Sequence, residues 1–187
     1  MALHEILHKT KRRKKTWVIL KLDFEKAYGM VDWSFLLESF QKRGFNAKWW
    51  GWIHQVVSGG TVSVKLNNKT SPYFVSHKGM RQGDLLSPLL FSFVIDCLTR
   101  MIKQAQRNGL ITGIASNLID KGVAVLQYAD ATIICLENNI DAARNMKLLH
   151  YLYEIMSGLK INFSKSEIVM INENDMLEKQ FFELYNC

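Results

Sequence analysis

Proline and cysteine are both scarce in this chain of 187 residues. Its two prolines, Pro72 and Pro88, and its scattered glycines leave no flexible linker, no low-complexity tract and no internal repeat, so one folded body is expected. Cys97, Cys135 and Cys187 are odd in number, far apart and without the paired spacing of a zinc or redox site. That argues against a disulfide scaffold and for a reducing, intracellular compartment, nuclear or cytoplasmic. No apolar run approaches the roughly 18 residues that cross a bilayer. The basic start is followed only by the stretch WVIL before Lys21 interrupts it, so neither a membrane anchor nor a signal peptide is expected.

What is present fits a globular protein: 48% apolar residues, 22% charged, and a formal net charge of +7. The positive field favours a polyanionic partner, nucleic acid before an anionic membrane surface. Residues 1–15, MALHEILHKTKRRKK, read as a basic N-terminal helical segment. Its KTKRRKK run would serve template phosphates or a nuclear import receptor, although most such runs are simply solvated.

From residue 16 onward the periodicities mix. TWVILKLD reads as a strand ending in Asp23. Asp32 is placed to cap the helix WSFLLESFQKR, and Asn46 to cap AKWWGWIHQVV. TVSVKLN and SPYFVSH flank the turn-forming NNKT as a hairpin, and Ser87-Pro88 opens a long helix to Arg107. Short strands are expected around LITGIA, a helix over NIDAARNMKLLHYLYEIMSG capped by Asn139, a strand over LKINFSKSEIVMIN and a last helix over DMLEKQFFELY. The spacing of Trp49, Trp50 and Trp52 on a helix predicts core packing in preference to base stacking. The sum is an α+β fold, an antiparallel sheet with helices packed on one face.

The segment VAVLQYADATIICLE, 123–137, sets Asp130 amid apolar residues. An unpartnered buried carboxylate would sooner be protonated, so the segment is better read as two strands folded at Ala129-Asp130. Asp23 and Asp130 thus each end an apolar strand. Adjacent strands lie roughly 4.8 Å apart, so two such carboxylates can share a metal if the strands are neighbours. Spacing alone leaves open the commoner alternative, that each satisfies its own turn.

Four stretches in this order, LKLDFEKAYGMVDW, GMRQGDLLSPLLF, LQYADATI and SGLKINFSKSE, resemble successive palm motifs of the reverse transcriptases of LINE-type (non-LTR) retrotransposons. They cover roughly residues 17–170, and four ordered matches are far more specific than one. The resemblance implies a polymerase-palm-like sheet over 16–187, RNA-directed DNA polymerase chemistry, and an RNA or DNA template-primer and dNTP as partners. It implies Asp23 and Asp130 as catalytic metal ligands, with the Phe24 carbonyl as a further ligand for Mg²⁺ or Mn²⁺. Tyr28 corresponds to the aromatic residue beneath the incoming sugar, where a ring excludes a ribose 2′-hydroxyl. That disfavours a viral RNA-directed RNA polymerase. Arg81, Gln82 and Gly83 correspond to the template- and nucleotide-contacting motif, and Lys165 to a lysine placed to protonate or offset the leaving pyrophosphate; outside that context Lys165 is a solvated strand-edge lysine.

Two positions depart from the pattern. Ala131 stands where the family turn carries a second aspartate, and Gly29 where an aspartate usually follows the aromatic gate. Alanine can neither ligate a metal nor accept a hydrogen bond, so weak metal binding and impaired or absent activity are expected. Twenty-two residues precede Asp23 and twenty-two follow Lys165, which leaves fingers, thumb and any endonuclease incomplete or outside this chain. The alternative reading is a non-catalytic nucleic-acid-binding protein on a palm fold.

Overall fold

The computed structural model describes residues 16–114, 122–128, 131–171 and 175–185. Its strands are β1 (Trp17–Leu22), β2 (Phe24–Glu25), β3 (Thr61–Val62), β4 (Lys65–Leu66), β5 (Lys69–Thr70), β6 (Phe74–Val75), β7 (Val125–Tyr128), β8 (Ala131–Glu137), β9 (Lys160–Ile161) and β10 (Glu167–Ile171). Its helices are α1 (Ala27–Met30), α2 (Trp33–Lys42), α3 (Ala47–Ser58), α4 (Ser87–Arg107), α5 (Ile140–Ser157) and α6 (Asp175–Tyr185). The chain forms two compact units, one of Met1–Glu25, Leu98–Glu154 and Ile161–Cys187, the other of Lys26–Cys97 and Ile155–Lys160. The basic segment 1–15 lies outside the described residues.

The first unit is built on an antiparallel sheet in the order β10-β1-β8-β7. Strand pleating sends alternate side chains to opposite faces. On one face Val18, Leu20 and Leu22 of β1 lie beside their partners Leu136, Ile134 and Thr132 of β8, all buried. On the other, Trp17 and Cys135 pack with Ile114, and Ile19, Val123, Ile133 and Ile171 close around them. That face is covered by the bridged pair Ile114↔Val123, the only part of the expected LITGIA strands that pairs among the described residues. Each large aliphatic side chain buried this way contributes about 1.5–3 kcal/mol relative to exposure. Helix α5 turns Ala143, Met146, His150 and Tyr153 inward at helical spacing, and α6 buries Phe181 and Tyr185, whose hydroxyl donates to the Ala143 carbonyl at 3.1 Å.

In the second unit the caps stand where the sequence puts them. The Asp32 carboxylate accepts from the Phe35 N–H at 3.0 Å and the Asn46 amide oxygen from the Trp49 N–H at 3.1 Å. Burial on its own would raise the Asp32 pKa, but hydrogen bonds from Ser34 and Phe35 and the charge of Lys78 outweigh it and hold the carboxyl below its usual value. The hairpin turns at Asn67 and Asn68, both at positive φ, as a type I′ turn demands. Its ladder comes in two pieces, because near Pro72, which has no N–H, the Ser71 hydroxyl replaces a backbone group and accepts from Val64 at 3.0 Å.

Two expectations are corrected. Trp49 and Trp52 are 48% and 49% exposed, not core residues. At 100° per residue α3 has one inward stripe, held by Trp50, Ile53 and Val57, and residues 49 and 52 fall together on another side. The stretch LKINFSKSEIVMIN is not one strand either. A 3₁₀ turn over Phe163–Lys165 separates β9 from β10, formed because Asn162 accepts the N–H groups of Lys165 and Ser166 at 3.1 and 2.9 Å.

Candidate functional site

The proposed site residues fall into two sets, one in each unit. In the first, the β1–β8 ladder runs from Trp17↔Glu137 to Leu22↔Thr132. Asp23 directly follows that last rung and β8 begins at Ala131, so the end of β1 lies beside the start of β8. Strand β7 pairs with β8 through Tyr128↔Ala131. The two-strand reading of the segment around Asp130 therefore holds, and the two strands that the metal argument needed as neighbours, β1 and β8, are paired. Asp130 itself lies outside the described residues.

The Asp23 carboxylate is exposed while its main chain is fixed. Its N–H donates to the Ser166 hydroxyl oxygen at 3.2 Å, and its carbonyl accepts from the Asn162 N–H at 2.8 Å. Ser166 donates its own O–H to the Asn162 carbonyl at 2.8 Å, closing a small network. Lys165, exposed, sits on that same turn, so the fold brings the segment carrying Lys165 to the backbone of Asp23. Phe24 is buried with its ring tilted against Tyr153 at 6.5 Å, which anchors the residue whose carbonyl is the expected ligand. Among the described residues no group of three or more His, Cys, Asp or Glu side chains is assembled to hold a metal.

In the second unit Tyr28 lies on the single turn α1, entered through Lys26 at φ +44°. Its ring is half-buried and stacks on Phe91 at 4.9 Å with 24° between planes. Its carbonyl accepts from the Met80 N–H at 2.6 Å, the Gly79 N–H donates to the Val31 carbonyl at 2.7 Å, and Trp33 Nε1 donates to the Gly79 carbonyl at 2.6 Å. The close lacing requires glycine: at Gly79 (φ +82°) a Cβ would stand 2.6 Å from the Gly29 carbonyl oxygen. At Gly29 itself a Cβ meets open space.

Arg81, Gln82 and Gly83 follow as an exposed turn with Gly83 at φ +89°, fastened to α4 by Asp84, whose carboxylate accepts from the Leu86 N–H at 3.0 Å. The Arg81 guanidinium occupies the space above Gly60, where a Cβ would fall 1.1 Å from Nη2. Together with Lys78, Gly29 and Gly79 these residues line a cavity of about 240 Å³. The bond from Met80 to Tyr28 thus ties the residue before Arg81 to the Tyr28 turn.

Three supporting residues were not legible in the sequence. Ser166 and Asn162 hold Asp23, yet their only signal was a serine and an asparagine flanking FSK, a pattern shared by countless loops. Gly60, beneath Arg81, read merely as the end of a helix.

The antiparallel sheet with its helices is a polymerase-palm-like fold. The same fold occurs in solved telomerases. The apo enzyme of Candida tropicalis, truncated from its C-terminal domain, superposes with a TM-score of 0.60 over 92% of this chain and 36% of that one at 16% identity. The Candida albicans telomerase, in complex with a TWJ fragment of telomeric RNA, gives 0.65 over 90% and 30% at 10% identity. The chain belongs to the reverse transcriptase (RNA-dependent DNA polymerase) family, whose model matches residues 1–182. It is similar to the Transposon TX1 uncharacterized 149 kDa protein of Xenopus laevis, 27% identical over 88% of this chain and 12% of that protein. It is also similar to the Pol polyproteins of the R2 element of Popillia japonica, at 22% over 91% and 23%, and of R2DM of Drosophila melanogaster, at 26% over 86% and 14%. The resemblance to LINE-type reverse transcriptases is borne out, and the chain spans well under a third of each of these relatives. Among the described residues no helix is long and apolar enough to cross a membrane.

Proposed function

We propose that residues 16–187 form the palm portion of an RNA-directed DNA polymerase of LINE type, with 1–15 as a basic appendage, and that its catalysis is impaired. The observation that carries this reading is the Leu22↔Thr132 rung, which sets the Asp23 end of β1 beside the start of β8. Asp23, the Phe24 carbonyl and Asp130, the residue before Ala131, would hold Mg²⁺ or Mn²⁺. When bound, such a cation supplies positive charge at the attacking hydroxyl and the departing pyrophosphate. These hard oxygen donors fit it, and the tethering of the Asp23 backbone by Asn162 and Ser166 supplies the rigidity that such a ligand needs.

The remaining roles belong to the protein's own side chains. Tyr28, backed by Phe91, presents its ring beneath the incoming sugar and excludes the 2′-hydroxyl, selecting a deoxynucleotide. Arg81 and Gln82 contact an RNA or DNA template-primer and the dNTP, and Gly83 lets the backbone approach the nascent pair. Lys165 neutralises, and protonates, the leaving pyrophosphate. The missing carboxylate at position 131 weakens the metal site, because the loss of even an outer partner costs about 10–100-fold in affinity or activity.

Calorimetric titration with Mg²⁺ and Mn²⁺ tests the site, and primer extension on an RNA template tests the impairment. Weak metal binding that Asp23→Asn abolishes, with extension near background, is the expected result. Robust extension by the unmodified chain would show the impairment argument wrong. A second reading, a nucleic-acid-binding protein that has left catalysis behind, is favoured by Ala131 itself. Salt-sensitive binding indifferent to Mg²⁺ and dNTP would select it.

A further inference from the structure

Helix α3 carries two different faces. One is the inward stripe of Trp50, Ile53 and Val57; the other sets Trp49 and Trp52 in solvent, their rings edge-to-face at 5.8 Å. Lys48 lies over the Trp52 ring, with its ammonium 5.0 Å from the centroid. Phe45 stands edge-on behind Trp49 at 6.2 Å and Phe40 behind Phe45 at 5.0 Å, so the pair is buttressed by an aromatic row and is not free to fold away. Leaving two indoles half in water forgoes a large burial gain, and this segment contributes no aliphatic stripe beside them beyond Val56.

We propose that Trp49 and Trp52, with Lys48, form a stacking platform for the bases of a single-stranded nucleic acid, separate from the Tyr28 and Arg81 cluster. Three observations favour this occupant over a protein. Indole faces stack any base, which gives sequence-tolerant affinity. The Lys48 ammonium, 5.0 Å above the Trp52 ring, sets at the platform a cation that a backbone phosphate can take as partner when a base displaces it from the ring face. The other exposed positions on α3 are Ala47, Lys48, His54, Gln55 and Val56, with one lysine and no carboxylate, within a chain of net charge +7. The inference rests on the reading of this chain as a nucleic-acid binder, and it adds a surface that would hold an unpaired strand.

The test is fluorescence-anisotropy binding of the full chain to a labelled oligouridylate of about twenty nucleotides, single-stranded and as a duplex. Trp49→Ala and Trp52→Ala should each weaken single-strand binding by roughly 10-fold or more while duplex binding changes little. Trp52→Phe, which keeps a π-face, should recover most of the loss, and Lys48→Ala should lower the salt slope by about one. Both tryptophans are half exposed, so each alanine variant should keep a cooperative thermal transition at a modestly lowered midpoint, which reports retained folding. Wild-type binding unchanged in both alanine variants would overturn the platform and leave the nucleic-acid reading standing. No wild-type binding at low salt would overturn both. Self-association that Trp52→Ala abolishes, without an effect on RNA, would assign the face to a second copy of the chain instead.

Discussion

Leu22 pairs with Thr132, the last rung between β1 and β8, and it brings the end of β1 that leads into Asp23 beside the start of β8 at Ala131. The position where the family's turn carries a second aspartate therefore begins the strand paired with the one that leads into Asp23.

Restoring a carboxylate at 131 should restore affinity. Ala131→Asp is expected to raise Mg²⁺ affinity by about 10–100-fold. Gly29→Asp, whose side chain would enter open space, should be tolerated without loss of stability. Calorimetry on the two variants and their combination measures both effects, and metal binding unmoved by Ala131→Asp would contradict the carboxylate assignment.

Ser166 acts on Asp23 through the backbone. Ser166→Ala leaves the Asp23 N–H without its acceptor and is expected to cost about 1 kcal/mol in urea unfolding. It should also weaken divalent-cation binding, whereas Lys165→Ala, on the same turn but outside the network, should leave metal affinity intact. Equal effects of the two variants would remove the positioning role of Ser166.

Gly79 is the tightest backbone contact of the Tyr28 loop. Gly79→Ala imposes an L side chain at φ +82° and drives its methyl against the Gly29 carbonyl, so a loss of about 2 kcal/mol or more is expected. Gly83→Ala shares the positive φ but meets open space, and should cost about 1 kcal/mol. The difference between the two, read by denaturant midpoints, isolates the contact from the strain.

His150 titrates the stability of the first unit. It is buried, neither ring nitrogen finds a hydrogen-bond partner among the described residues, and burial pushes its pKa down to about 3. The unfolded side chain, near 6.5, binds its proton first as pH falls. Its contribution is therefore fully present above pH about 6.5 and is lost toward pH 3, by up to about 1.4 kcal/mol per unit. His150→Phe should flatten that part of the stability profile, measured by unfolding at a series of pH values.

Much of the fold was legible because its signals are local. The carboxylate of Asp32 and the amides of Asn46 and Asn139 accept backbone N–H groups within three residues, the long helix starts at Ser87, and the NNKT stretch turns at Asn67 and Asn68. The tryptophans of α3 were misread because hydrophobicity says that a residue gains by burial, not that the helix has a face left to bury it. The 3₁₀ turn at Phe163–Lys165 was missed because its bonds run from backbone N–H groups to the Asn162 carbonyl, which residue types do not reveal, and the contacts of Asn162 and Ser166 to Asp23 lie far off in sequence.

The sequence by itself determined most of the helices, their caps and the strand leading into Asp23, since these depend on residue types and short spacings, while the two absent carboxylates at 29 and 131 came from the resemblance of four ordered motifs to a family. Tertiary structure alone decided that β1 lies between β10 and β8, that Ser166 and Asn162 hold the Asp23 backbone, and that two indoles remain half in water. Strand pairing and burial are settled by competition among distant segments for the same edge and the same core, and no short stretch of sequence encodes which of them wins.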